Sequence, residues 1–108
     1  MAYLVRIAPR AERDLSILFE DIHAGNSEAA LKWYEGLKAA VVTLEKLPNR
    51  YQEADENSQL RQLLYGKKPH IYRVIYRVRE EEKRVHVLHI RHAARHNFMP
   101  SEIVQDGL

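Results

Sequence analysis

The stretch IYRVIYRVREEEKRVHVLHIRH, residues 71–92, decides the fold. Two runs rich in β-branched and aromatic residues, Ile71 to Arg79 and Arg84 to Arg91, flank a charged reversal, Glu80 to Lys83. Such runs suit the pleated, half-buried surface of a sheet, and so short a polar break predicts a hairpin. Side chains alternate along a strand, so Tyr72, Val74, Tyr76 and Val78 share one side while Arg73, Ile75, Arg77 and Arg79 share the other. In the second run the alternation leaves the faces open. His86, Leu88, Ile90 and His92 fall on one side and Val85, Val87, His89 and Arg91 on the other, with apolar groups on both.

Working upstream, Leu60 to Tyr65 reads as another strand, closed by Gly66, Lys67, Lys68 and Pro69. Residues 48–59 are polar and without a stable period, so they read as a connecting loop. Before them, Ala30, Trp33, Leu37, Val41, Leu44 and Leu47 recur at helical spacing from Glu28 until Pro48 forbids continuation. An earlier amphipathic helix begins after Pro9 and places Ala11, Leu15, Leu18 and Ile22 on one stripe. Gly25 is the expected left-handed stop between the two helices, with Asn26 or Ser27 capping the second. Tyr3, Val5 and Ile7 alternate as an N-terminal strand. After Ala93, Pro100, Ser101 and Glu102 can open a short final helix.

The reading is therefore an α+β domain: an N-terminal strand, a helical hairpin, then a largely antiparallel sheet, in the order β-α-α-β-β-β. Two helices cover one face only. The arginine side of residues 72–79 is expected to be the open one, facing water or a partner.

At 108 residues the chain has apolar material for a single domain, 1–108. No run approaches the roughly 20 apolar residues of a membrane span. The first residues lack a signal-peptide pattern and there is no cysteine, which excludes disulfides and thiolate chemistry and leads us to expect a cytoplasmic protein. The formal net charge of +2 hides a polarised chain. Residues 1–59 carry 7 Lys/Arg against 10 Asp/Glu, whereas residues 60–97 carry 10 against 3 and hold five of the six histidines. A basic C-terminal half suits an anionic partner, nucleic acid or an acidic protein segment, although Lys and Arg also decorate any solvated sheet.

His86, His89 and His92 recur every third residue, which invites a metal site. On a strand, however, His89 points away from the other two, and His86 and His92 stand about 20 Å apart at ~3.3 Å per residue. No metal and no cofactor is expected. Arg61, Arg73, Arg77, Arg91 and Arg95 are the stronger signal, since guanidinium forks match phosphate and carboxylate oxygens. RNA cleavage needs a base for the 2′-hydroxyl, an acid for the leaving oxygen and cations at phosphorus, tasks that histidine and arginine can share. Trp33 and Tyr34 fall on the core stripe of the second helix and are expected to pack rather than to stack on bases.

Several pieces in order resemble the RelE/ParE toxin superfamily. They are the N-terminal strand, Ala11-x-x-Asp14-Leu15, Leu60-Arg61-x-Leu63, the Tyr72-Arg73-x-x-Tyr76 core and the segment from Val87 through His92 to Arg95. The resemblance spans nearly the whole chain and implies the toxin of a type II toxin-antitoxin module, bound by a cognate antitoxin and able to enter higher-order complexes. It offers two activities. RelE-like members cut mRNA in the ribosome without a metal, and by that likeness Arg61, Arg73, His92 and Arg95 would form the catalytic set. ParE-like members are not nucleases but bind DNA gyrase and trap it on cleaved DNA. The chain departs from the RelE-like pattern at Leu63, where a second basic residue is expected, and in having no tyrosine after Tyr76. We therefore expect the ParE-like activity, with mRNA cleavage or a non-toxic partner-binding role as alternatives.

Overall fold

The computed structural model describes residues 2–94. The hairpin expected from residues 71–92 forms its centre: β4 (Tyr72–Arg79) and β5 (Arg84–His92) pair antiparallel. Lys83 closes the reversal in the left-handed conformation, at φ 53°. β3 (Asn57–Tyr65) pairs antiparallel with β4, and β1 (Leu4–Ile7) lies parallel on the other edge of β5. Segment 48–59, read from sequence as a loop, holds a turn of 3-10 helix (Pro48–Arg50) and a two-residue strand, β2 (Glu53–Ala54), which pairs with β3. The sheet thus has five strands in the order β1-β5-β4-β3-β2.

The ambiguous parity of β5 has a physical cause. Ile75 faces His89 but Tyr76 faces Val87, so Leu88 is an extra residue, a β-bulge that shifts the alternation midway. Val85 and Val87 before the bulge and Ile90 after it all reach the main core beside Val74 and Tyr76. His86 and His92, apparently on one side by simple counting, therefore face opposite ways.

α1 (Pro9–Asp21) and α2 (Glu28–Val42) cover one face of the sheet. Leu15 and Leu18 from α1, with Leu37 and Val41 from α2, pack on Leu63, Val74 and Tyr76. Each such side chain contributes about 1.5–3 kcal/mol through the area it removes from water. Ser27 caps α2 by accepting the Ala30 N–H at 3.2 Å, as expected. The stop of α1 differs from expectation: His23, not Gly25, is left-handed, at φ 58°. The His23 N–H reaches the Glu20 carbonyl and the Ala24 N–H reaches the Phe19 carbonyl, a Schellman closure that satisfies the last turn before Gly25 is reached. α2 also ends earlier than its pattern predicts, tightening into 3-10 helix over Thr43–Glu45. Arg50 then donates to the Lys46 and Leu47 carbonyls, and Tyr76 donates to the carbonyl of Pro48, pinning this end of the helical layer to the sheet.

Beyond Val87 the strand β1 no longer covers the edge of β5. There α1 takes over, and the Asp14 carboxylate accepts the Ile90 N–H at 3.0 Å. An otherwise open strand edge is thereby closed by a side chain.

Gly66 opens the β3–β4 connection at φ 103°, and a Cβ there would lie 2.3 Å from the His70 carbonyl oxygen. Both the dihedral and the backbone contact demand glycine. We expect Gly66→Ala to cost about 1–3 kcal/mol, read as a lower urea midpoint at unchanged m; an unaltered midpoint would refute the strain argument.

Candidate functional site

Of the sequence-predicted catalytic set, the three described residues, Arg61, Arg73 and His92, do not converge. Arg61 lies opposite Tyr76, a residue of the helix-covered core, and so points to the helix side, where it donates to the Tyr51 carbonyl at 2.6 Å. Arg73 stands on the other face. His92 lies opposite Tyr72, four residues along β4 from the partner of Arg61, a run of roughly 13 Å at ~3.3 Å per residue. Its ring meets Tyr72 edge-on at 5.0 Å, and its Nδ1 accepts the Ala94 N–H at 3.1 Å. Arg95 lies outside the described residues, as does the short helix expected near Pro100.

Arg73 is committed to a buried clamp. It is 6% exposed. Its guanidinium donates to both carboxylate oxygens of Glu56, at 2.8 and 2.5 Å, and twice to the Gln62 side-chain oxygen, at 3.0 and 2.8 Å. Two-point contact of this kind is the strong form of the arginine–carboxylate pair. Glu56 reaches it because Ala54 pairs with Asn57, leaving Asp55 and Glu56 as the tip of a hairpin folded against the sheet. Sequence reasoning missed Glu56, since one acidic residue in a polar segment has no period to mark it.

Burial pulls the Glu56 carboxyl upward, but hydrogen bonds from Arg73 and the backbone, with the nearby charges of Arg73 and Arg91, outweigh it and leave the group below its ordinary 4.5. A carboxyl lowered in the folded state contributes stability above its unfolded value and loses it as pH falls through the folded one. The wild-type urea midpoint should therefore drop more steeply below about pH 4.5 than that of Glu56→Gln. Parallel curves would remove the clamp from the acid response.

The face opposite the helices is less open than expected, which corrects the sequence reading. Ile75, Leu60 and Leu88 are buried there with Ala8 and Ala54 in a second apolar cluster. Among the described residues, partly or fully exposed cations gather at the end of this face near the β4–β5 reversal. Arg6 on β1, His86 on β5 and Arg77 on β4 form one cross-strand row, and Arg84 and Arg79 form the next. His86 is 5% exposed, and neither ring nitrogen has a hydrogen-bond partner among the described residues. Burial lowers its pKa, and Arg79, Arg6 and Arg84 push the same way against Glu82, so the ring is held neutral at neutral pH. The sequence marked Arg77, and marked His86 only as a member of the histidine series weighed for a metal; it missed Arg6, which the parallel pairing of β1 with β5 brings beside them.

Trp33 packs edge-on against Tyr65 and Tyr72, at 5.3 and 5.4 Å, in keeping with a packing role. Among the described residues no group of three or more His, Asp or Glu side chains is placed to hold a metal ion, and no helix is long and apolar enough to cross a membrane.

This arrangement of layers occurs in solved bacterial toxins. The chromosomal ParDE toxin-antitoxin system of P. aeruginosa contains a chain that superposes with a TM-score of 0.69 at 20% identity, over 84% of this chain and 96% of that one. A mutant of the E. coli toxin RelE in the free state matches with a TM-score of 0.62 at 20% identity, over 98% of this chain and 94% of that one. The intact E. coli RelBE toxin-antitoxin complex contains a chain matching with a TM-score of 0.61 at 22% identity, over 87% and 100%. The fold is thus that of the RelE/ParE toxins. No curated protein sequence matches the chain. The family model for the ParE toxin of the type II toxin-antitoxin system parDE matches residues 5–97, and the chain belongs to that family.

Proposed function

We propose that this ParE-family toxin arrests growth by poisoning DNA gyrase rather than by cutting mRNA. The observation that carries the reading is the scatter of the nuclease candidates. Arg61 and Arg73 lie on opposite faces, and Arg73 is neutralised by Glu56. General acid–base cleavage of RNA needs its groups within hydrogen-bond reach of one phosphate, and the described candidates Arg61, Arg73 and His92 are too far apart for that. Such a protein acts by occupying a partner, which requires a shaped and charged surface but no reacting side chains.

The toxin's own restraint would be a cognate antitoxin whose acidic segment folds onto the domain, its charge matched to the basic half of the chain. The E. coli RelBE toxin and antitoxin are known as an intact complex. A gyrase target also sets the place of action in the cytoplasm. Purified protein should inhibit gyrase supercoiling of a relaxed plasmid in proportion to dose. Unchanged supercoiling at large molar excess, together with transcripts broken within codons during growth arrest, would replace this reading with the RelE-like one.

A further inference from the structure

The two arginine rows at the end of the open face raise an electrostatic problem that the described residues do not resolve. Arg79 and Arg84 are directly opposite on adjacent strands, as are Arg77 and His86, with Arg6 completing the second row. Adjacent strands lie ~4.8 Å apart, and like charges directly across a sheet repel. Among the described residues the acidic group paired with them is Glu82, whose carboxylate lies 3.8 Å from the Nε of Arg79 and is half exposed. The Nε of Arg79 is buried without a hydrogen-bond partner, and so are both ring nitrogens of His86. These atoms are enclosed beneath the patch and the Nε of Arg79 already faces Glu82, so it is the uncompensated guanidinium charge above them that calls for an anionic partner.

We propose that the patch formed by Arg6, Arg77, Arg79 and Arg84 over His86 binds the phosphate backbone of duplex DNA. Four cations in two rows suit a ligand that carries a charge on every unit. Interfaces with proteins need an apolar centre, and here the apolar groups of this face, Ile75, Leu60 and Leu88, are already buried in their own cluster. Interfaces with nucleic acid are more polar and strongly cationic, as this one is. The inference deepens the gyrase reading by giving the toxin its own hold on the DNA that gyrase handles, and it rests on that reading for its setting alone.

The test uses the whole chain without gyrase. Fluorescence anisotropy of a short dye-labelled DNA duplex of mixed sequence is followed over a range of salt concentrations. Wild type should bind with log K falling against log salt at a slope of about −3, as release of counterions from three or four phosphates requires. Arg77→Gln with Arg79→Gln should weaken binding at least about tenfold at low salt and flatten the slope by about two; Arg6→Gln, on an exposed edge-strand position, should flatten it by about one. Arg13→Gln, exposed on α1, should change neither. Melting curves establish that each variant is folded, and the Arg6 variant keeps the test decisive should the double variant unfold. Equal affinity and slope in wild type and a folded Arg77/Arg79 or Arg6 variant would overturn the proposal. So would failure of wild type to bind at low salt, or tighter binding of a polyglutamate peptide than of the duplex. Salt-dependent DNA binding with gyrase unaffected would uphold the patch and reject the target, whereas gyrase inhibition without DNA binding would do the reverse.

Discussion

Arg73→Ala is expected to destabilise the protein by about 3–5 kcal/mol, because it strands a buried carboxylate rather than merely deleting a contact. The Glu56 side chain is 4% exposed, and Arg73 donates to both of its carboxylate oxygens. Gln62 loses its partner in the same step. Against the 5–15 kcal/mol typical of a domain, such a loss approaches unfolding at 37 °C. The companion expectation is a recovery. Replacing both members, Arg73→Met with Glu56→Leu, removes the charge and its partner together and should restore most of the melting temperature, since well-packed apolar substitutes for buried pairs are often neutral or better. A double variant no more stable than Arg73→Ala would show that the clamp does more than neutralise itself. Toxicity of Arg73→Ala is therefore to be read beside its melting temperature, so that a loss through unfolding is told apart from the loss of a reacting group.

The second large effect belongs to the helix–sheet interface. Leu37→Ala should cost about 2–5 kcal/mol, the range for emptying a packed leucine site that collapses only in part. Leu37 is fully buried in the cluster that joins α2 to β3 and β4. At 4–8 °C per kcal/mol for a domain of this size, the melting temperature should fall by roughly 10 °C or more. Val42→Ala on the same helix makes the contrast. It is 55% exposed and should shift stability by no more than about 0.5 kcal/mol. Similar losses at the two positions would mean that α2 does not sit on the sheet through Leu37.

What the sequence revealed and what it withheld follow from the range of the interactions involved. The alternation of Tyr72, Val74 and Tyr76 against Arg73, Ile75 and Arg77 is a local property, and the structure realises it with the helices on the tyrosine side. β5 resisted because a bulge at Leu88 breaks the period of two, and only its pairing with β4 shows where. The stop of α1 fell at His23 because the Schellman hydrogen bonds, rather than the presence of a glycine, select the left-handed residue. β2 was invisible: two residues have no period. Its consequence was the largest one for the site, since the hairpin tip brings Glu56 onto Arg73 and holds the guanidinium in a buried ion pair. The basic character of residues 60–97 was plain from composition. Which of those cations remain on the surface was set by long-range pairing, and so was the arrival of Arg6 beside them.

The proposed poisoning of gyrase is tested most directly on the DNA that gyrase leaves behind. Supercoiled plasmid is incubated with gyrase, ATP and increasing amounts of the protein, then treated with detergent and protease to release trapped breaks. Linear plasmid should accumulate with dose, while the same preparation leaves ribosome-bound mRNA whole. Intact plasmid at every dose, with mRNA cut in the ribosomal A site, would contradict it.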